Sequence, residues 1–131
     1  MSSGLDFVTS GQVFRKDHRM VLAMNRHQAA IIGVRLAYEA LGYTAGQLLA
    51  RNSVSGLHTK YATSGSSGTD TAVGVLFNDV QDMAASTTDM GQMIVKGQLF
   101  ESMVIGLDAP AKVDLGSRSV IDGSGTTILM F

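Results

Sequence analysis

The sequence predicts a mainly β fold, a small barrel-like or sandwich-like domain with one short helix and a flexible N-terminal arm. Gly, Ser and Thr account for 38 of the 131 residues, and they separate many short apolar segments. Short segments joined by Gly and Ser turns are typical of all-β domains. Helical periodicity is sparse, and a chain of 131 residues suits one domain better than two.

The chain divides into an N-terminal arm, residues 1–30, and a β-rich body, residues 31–131. Residues 1–12 are polar and lack apolar periodicity, so we expect them to be mobile in the isolated protein. Residues 13–30 leave two interpretations open. An extended arm fits them as well as a single helical stripe formed by Met20, Met24, His27 and Ile31.

The first half of the body contains an alternating strand and a hairpin. In residues 31–39, apolar side chains alternate with more polar ones, which predicts a half-buried strand. Residues 47–54 and 57–62 flank Ser55–Gly56, a two-residue connection that predicts a β-hairpin. Residues 63–70 contain no apolar side chain, so we expect an exposed loop there.

The second half of the body contains three further predicted strands. Residues 71–80 are nearly continuously apolar, which indicates a central strand. Residues 91–101 form another strand, in which Gly97 is expected to be a bulge or a point of close approach. A turn at residues 122–125 precedes a last strand at residues 126–131.

Residues 106–116 carry the start and stop signals of a short helix. Asp108 stands where an N-cap accepts backbone N–H bonds. Pro110 falls in the first turn, where its missing N–H is not needed, and Gly116 follows the last turn. The sequence therefore predicts a helix bounded by these residues.

The last four residues are all apolar and have to be buried. Either the last strand completes a sheet of the same chain or it packs on another subunit. We therefore take these residues as candidates for a subunit interface: Ile128, Leu129, Met130 and Phe131.

The charges of the chain are unevenly divided. Residues 1–35 carry five basic and two acidic residues, whereas residues 36–131 carry five basic and nine acidic residues. Ordinary compositional scatter is one interpretation. The other is a basic leader that lies on an acidic partner, because summed charge steers association. Arg and aromatic side chains are enriched at interface hot spots, and the leader contains a cluster of this type: Phe14, Arg15, Lys16, Arg19 and Met20.

No pattern of residues in the sequence indicates a catalytic, cofactor or metal site. The chain has no Cys, and its three His are isolated from one another. Asp79 and Asp82 are interpreted as solvated turn carboxylates. The Ser-rich residues 63–70 precede a strand, whereas a phosphate-binding loop precedes a helix and carries a Lys. We therefore expect no enzymatic activity, no metal and no cofactor.

Composition also argues against two classes of partner. The formal net charge is −1, whereas nucleic-acid-binding domains have a strongly basic face. No apolar run approaches the roughly 18 residues that span a bilayer, and no secretory signal is visible at the N-terminus. We expect neither direct nucleic-acid binding nor membrane insertion.

Three segments in a particular order resemble a known family. They are residues 45–61 (AGQLLARNSVSGLHTKY), residues 70–80 (DTAVGVLFNDV) and residues 94–97 (IVKG). The last leads through Gly106–Asp108 into the short helix and the final GTTIL strand. In this order and spacing, residues 34–131 resemble the head decoration proteins of tailed bacteriophages, the family of the lambda head decoration protein.

The resemblance implies a β-tulip-type fold that forms a homotrimer. Such trimers bind the major capsid protein at three-fold sites of the expanded phage head and stabilise the shell against internal DNA pressure. It also implies a viral structural protein, made in the host cytoplasm and located on the outer surface of the capsid head. In this family the N-terminal segment becomes ordered on the capsid. A small cytoplasmic β-barrel that acts as a binding or adaptor module is the alternative.

Overall fold

A computed structural model of the protein describes residues 21–24 and 28–131 and confirms the mainly β fold. The arm residues predicted to bind a partner, 14–16, 19 and 20, lie outside the described residues. The elements, in chain order, are β1 (Ala30–Leu36), β2 (Leu48–Arg51), β3 (His58–Lys60), β4 (Ala72–Leu76), β5 (Asp89–Lys96), β6 (Gln98–Phe100), a 3₁₀ helix (Glu101–Met103), α1 (Ala109–Leu115), β7 (Arg118–Ile121) and β8 (Thr127–Met130).

Five strands form a closed barrel in the order β1-β3-β2-β4-β5. β1 and β5 pair antiparallel along the whole of β1. On its other side β1 pairs with β3 in parallel, and this pairing is short because it includes only Leu36 and His58. The remaining strands, β6, β8 and β7, form a separate three-stranded sheet in that order.

The barrel interior is filled by apolar side chains that we call the barrel core. Its buried members are Val34, Leu36, Tyr43, Leu49, Leu76, Val80 and Met93. Tyr43 is completely buried, its hydroxyl donates to the Ala37 carbonyl at 2.7 Å, and its backbone N–H donates to the Val80 carbonyl at 2.7 Å. Tyr43 thus ties the segment after β1 to the segment after β4.

The second core lies between the barrel and the three-stranded sheet. Leu48, Val75 and Ile94 face it from the barrel, while Leu99 and Leu129 face it from the sheet. Strands β2, β4 and β5 therefore bury side chains on both of their faces. This double burial explains why the sequence of β4 is nearly continuously apolar, as predicted for a central strand.

Gly97 is the point where the chain leaves the barrel for the second sheet. A Cβ at this position would lie 3.3 Å from the Cβ of Ala29 and 3.4 Å from the Sδ of Met24, so the predicted close approach is confirmed. Gly97 also exchanges two backbone hydrogen bonds with Phe131, at 2.9 and 3.0 Å. The prediction of one continuous strand over residues 91–101 was wrong, because the chain changes sheets at this glycine.

The body includes residues 21–24, which the sequence assigned to the arm. Val21 and Leu22 are buried in the second core. Leu22 pairs antiparallel with Leu99, so this short segment is extended and lies along the free edge of β6. Burial of two adjacent apolar side chains fixes the segment there, since each buried side chain of this size is worth about 1.5–3 kcal/mol.

The helix and the hairpin were both predicted, the helix more accurately. α1 begins after Asp108, whose carboxylate accepts the Ala111 N–H, and it ends at Gly116 in the left-handed conformation. β2 and β3 form the predicted antiparallel hairpin. Its connection, however, spans residues 52–57 and not two residues, because the Asn52 side chain accepts two backbone N–H bonds and widens the turn. The sequence did not predict β7.

Candidate interaction surface

The final strand divides the four predicted interface residues between two faces of its sheet. Leu129 and Phe131 belong to the second core, which they enter from the inner face. Ile128 and Met130 alternate with them and so point to the opposite side. Leu129 is fully buried and Ile128 is only 9% exposed, so a single chain already shields both side chains from water. Their participation in a subunit interface stays a prediction.

The second face of the three-stranded sheet carries a continuous apolar row. Phe100 of β6 lies opposite Ile128 of β8, which in turn lies opposite Val120 of β7. We call this side of the sheet the outer face; it consists of Gln98, Phe100, Arg118, Val120, Ile128 and Met130. None of these residues belongs to either core. On this outer face Ile128 is buried at 9% exposure, Val120 is 38% exposed, and Phe100 and Met130 are half-buried, so these last three are the apolar side chains that reach the surface.

The N-terminal segment joins the body at the edge of this same sheet. The Phe100 N–H donates to the Val21 carbonyl at 2.8 Å, and the Ala23 N–H donates to the Gln98 carbonyl at 2.8 Å. Arg19 and Met20 immediately precede this pairing in the sequence. The chain that follows the basic leader therefore pairs with β6, a strand that contributes residues to the outer face.

The carboxylates singled out in the sequence have structural partners. Asp79 Oδ1 accepts the Ala45 N–H at 2.7 Å and so joins two loops at one end of the barrel. Asp82 is exposed and has a positive φ of 56°. Among the described residues, no group of three or more His, Cys, Asp or Glu side chains is placed to hold a metal ion. Asp82 is thus an exposed carboxylate as predicted, whereas Asp79 is partly buried and bonded to a backbone N–H rather than solvated.

Asp108 is the centre of a hydrogen-bonded cluster that attaches α1 to the barrel. Its carboxylate accepts the Thr63 hydroxyl, the Ala111 N–H at 2.9 Å and the Tyr61 hydroxyl at 3.0 Å. The Thr63 hydrogen bond, followed by that of Ala111, lowers the pKa of Asp108 below its ordinary value. Asp114, at the other end of α1, accepts the Ala72 N–H at 3.0 Å. Both carboxylates hold the helix in position.

His58 has an unusual environment for a polar side chain. Its Nδ1 is buried and has no hydrogen-bond partner. Within residues 21–24 and 28–131, every other buried side-chain nitrogen or oxygen has such a partner. Burial, together with the positive charge of Arg51 on the paired strand, lowers the pKa of His58. A neutral imidazole at the junction of β1 and β3 is therefore favoured.

A second polar cluster connects α1 to the inner side of β7. Lys112 Nζ lies 3.4 Å from Glu101 Oε1 and donates to the Ser119 hydroxyl at 3.1 Å. The Ser119 hydroxyl in turn donates to Glu101. This cluster fixes β7 relative to the helix and leaves the opposite side of β7, with Val120, on the outer face.

The sequence reasoning missed Phe100 and Val120 as members of a surface. Alternation along the last strand could have separated Ile128 and Met130 from Leu129 and Phe131, because neighbouring side chains of a strand face opposite sides. The cross-strand partners of Ile128 could not be read in the same way. They depend on the register of β6 and β8, which are separated by the helix and β7.

No protein-family model, no curated protein and no solved structure matches the chain. Within the part of the chain that the structure describes, no helix is both long and apolar enough to cross a bilayer.

Proposed function

We propose that this protein is a capsid decoration protein that binds the expanded head of a tailed phage as a homotrimer. In this role it contacts the major capsid protein at three-fold sites on the outer surface of the head. It stabilises the shell against internal DNA pressure and requires neither a cofactor nor catalysis. The resemblance of residues 34–131 to the family supplies the identity of the partner.

The observation that carries the proposal is the outer face beside the attachment point of a basic leader. A row of apolar side chains crosses all three strands of the sheet, and the leader enters along the free edge of β6. An apolar surface suits a protein that binds other proteins through an extended interface, and the sequence adds a cluster of cations shortly before residue 21. We assign the outer face to the contact between subunits and the leader to the contact with the capsid.

The polar clusters of the body support a structural role. Asp79 and Asp114 each accept a backbone N–H from a distant part of the chain, and Asp108 caps α1 while it accepts the hydroxyls of Tyr61 and Thr63 from the segment after β3. Carboxylates used in this way stabilise loops and helix ends rather than exchange protons with a substrate. Shell reinforcement requires such rigidity, because its free energy is distributed over an interface.

Two measurements test the proposal. Light scattering on the purified protein should give the mass of a trimer, and Met130→Lys on the outer face should shift that mass towards the monomer. Val54→Lys is the matched control, since Val54 is 84% exposed on the β2–β3 connection and belongs to neither core. A monomeric wild-type protein would contradict the homotrimer.

The capsid contact is tested by co-sedimentation with empty phage shells. Wild-type protein should sediment with expanded shells and remain in the supernatant with unexpanded ones, because trimers of the family that the sequence resembles bind the expanded head. Equal recovery in the two samples would contradict specific decoration. A monomer that binds neither shell would favour the adaptor module instead.

A further inference from the structure

The exposed edge of β7 is the least protected part of the three-stranded sheet. β7 forms one end of the strand order β6-β8-β7, and all four of its residues are exposed. Ile121 is 70% exposed and Val120 is 38% exposed. Among the described residues, β7 pairs with β8 alone. An unpaired edge with apolar side chains is a template for another strand.

The backbone groups that point away from β8 belong to Ser119 and Ile121. The Asp122 N–H donates to the Thr126 carbonyl at 2.9 Å, so the backbone of Asp122 faces β8. Alternate residues of a strand direct their N–H and C=O groups to the same side. Arg118 and Val120 therefore also face β8, whereas Ser119 and Ile121 offer two donors and two acceptors to a neighbouring strand.

The charges along this edge complement a second copy of the same strand. Arg118 and Asp122 lie symmetrically about Val120, two residues to either side. When two copies of β7 pair antiparallel about Val120, Arg118 lies opposite the partner's Asp122. Ser119 then lies opposite the partner's Ile121, and the outward backbone groups of both residues are satisfied. Shifting the centre to Ser119 or Ile121 places Arg118 opposite an uncharged residue.

We propose that two copies of this protein associate through β7, antiparallel and centred on Val120. The pairing forms four backbone hydrogen bonds and two Arg118–Asp122 ion pairs across a two-fold axis. It also joins the apolar rows of the two outer faces into one continuous row across six strands. A carboxylate fixed in its own turn suits this role: Asp122 Oδ1 accepts the N–H groups of Ser124 and Thr126 at 2.9 and 3.0 Å.

This contact goes beyond the proposed function. A two-fold pairing of identical edges cannot close a three-fold ring, which requires two different surfaces on each subunit. The β7 contact lies in the plane of the sheet, whereas the outer face points out of that plane. It therefore joins two trimers to each other without a capsid, as a weaker contact that forms at protein concentrations above those at which light scattering gives the mass of a single trimer.

Oxidative cross-linking tests the register directly, because the protein contains no native cysteine. In the proposed pairing, residue 120 faces its own counterpart as a non-hydrogen-bonded pair, with Cα atoms about 4.5 Å apart. That separation allows a disulfide, which needs roughly 4.4–6.8 Å. Val120→Cys should therefore give a covalent dimer on a denaturing gel.

Ile121→Cys is the matched control. Residue 121 lies diagonally from its counterpart, at about 7–8 Å, which a disulfide does not span without backbone movement. We expect the Val120→Cys dimer to form at least roughly tenfold faster than the Ile121→Cys dimer. Equal rates, or no dimer from either variant, would overturn the proposal regardless of whether the protein binds capsids or forms trimers.

A charge test on the Val120→Cys background checks the ion pairs. Arg118→Glu places like charges opposite each other and should slow cross-linking by at least about fivefold. Adding Asp122→Asn removes the repulsion while keeping the oxygen that accepts the turn N–H bonds, so it should restore most of the rate. Circular dichroism verifies that each variant is folded. Unchanged cross-linking in the Arg118→Glu variant would contradict the register.

Discussion

Gly74 and Gly91 show how tightly the strands of the barrel approach one another. A Cβ at Gly74 would lie 2.6 Å from Met93 Cγ and 2.7 Å from the Ile94 carbonyl oxygen. A Cβ at Gly91 would meet mainly the terminal methyl carbons of Leu36 and Leu76, at 2.8 and 3.0 Å. Side-chain ends can move aside, whereas a paired strand backbone cannot. An added methyl group should therefore destabilise the fold more at Gly74 than at Gly91.

We predict that Gly74→Ala lowers the free energy of unfolding by about 1–3 kcal/mol, the range of overpacked cores. Gly91→Ala should have a smaller effect. Gly123→Ala is the control, because no atom lies within 4 Å of its added Cβ and its φ is not positive. Urea denaturation of the three variants measures the order. Equal stability of the Gly74 and Gly123 variants would contradict the steric argument.

His58 makes the stability of the protein depend on pH. Its pKa is lowered in the folded state by burial and then by Arg51, so the unfolded chain binds the proton more readily. The stabilising effect is complete above the unfolded pKa, about 6.5. It is lost as the pH falls from there towards the lowered pKa.

We predict that the wild-type protein loses more stability than His58→Gln when the pH falls from about 7.5 to about 5.5, across the ordinary pKa of histidine. His18 and His27 are present in both proteins, so the difference between them reports on His58. The urea midpoint at each pH provides the measurement. Parallel losses in the two proteins would contradict a role for His58.

At the scale of elements, α1 depends on the carboxylate at its start. Replacing Asp108 by Ala removes the acceptor for Thr63, Ala111 and Tyr61 at once, so the melting temperature at neutral pH should fall. Asp108→Asn keeps one oxygen as an acceptor, so its melting temperature should fall less. Asp70→Ala is the control and should leave the melting temperature unchanged, because Asp70 is an exposed carboxylate on the connection between β3 and β4.

The pH dependence of the cap gives a second readout. The pKa of Asp108 is lowered in the folded state, so its stabilising effect is present above the ordinary carboxyl pKa and disappears as the pH falls through the lowered value. The melting temperatures of the wild type and Asp108→Asn should therefore converge in strong acid. A constant difference between them at all pH values would show that the charge of Asp108 is irrelevant.

The elements differ in how far the sequence predicts them. The cap and the end of α1 were predicted within residues 106–116, because Asp108, Pro110 and Gly116 act on the backbone next to them. β7 was missed because Val120 and Ile121 stand side by side and give no alternation. The same short strand is fully exposed, so no buried face imposes a pattern on it.

At the scale of the whole molecule, the two cores could not be predicted from local patterns. Gly97 was recognised as a special position, but the change of sheet at Gly97 depends on its pairing with Phe131, more than thirty residues further along the chain. The outer face was likewise hidden, because it combines residues from β6, β7 and β8. The apolar character of the last four residues suggested a partner for the whole segment. In the structure Leu129 and Phe131 belong to the second core, and only Ile128 and Met130 face outwards.

The leader is the part of the molecule on which the proposed capsid contact depends. Val21 and Leu22 are buried in the second core, so residue 20 is the last that can be removed without opening it. We predict that deleting residues 1–20 leaves the trimer folded, whereas deleting residues 1–24 lowers its stability. The shorter deletion should weaken binding to expanded shells at least tenfold, which corresponds to about 1.4 kcal/mol.

The charge of the leader should account for part of this loss. Phe14 and Met20 flank Arg15, Lys16 and Arg19 in the sequence, so full-length protein with Gln at the three basic positions keeps the apolar groups and removes the cations. Its binding should be weaker than that of the wild type at low salt, and the two should converge as added salt screens the charges. Co-sedimentation at several salt concentrations measures both effects. Unchanged affinity of the protein lacking residues 1–20 would move the capsid contact from the leader to the β body.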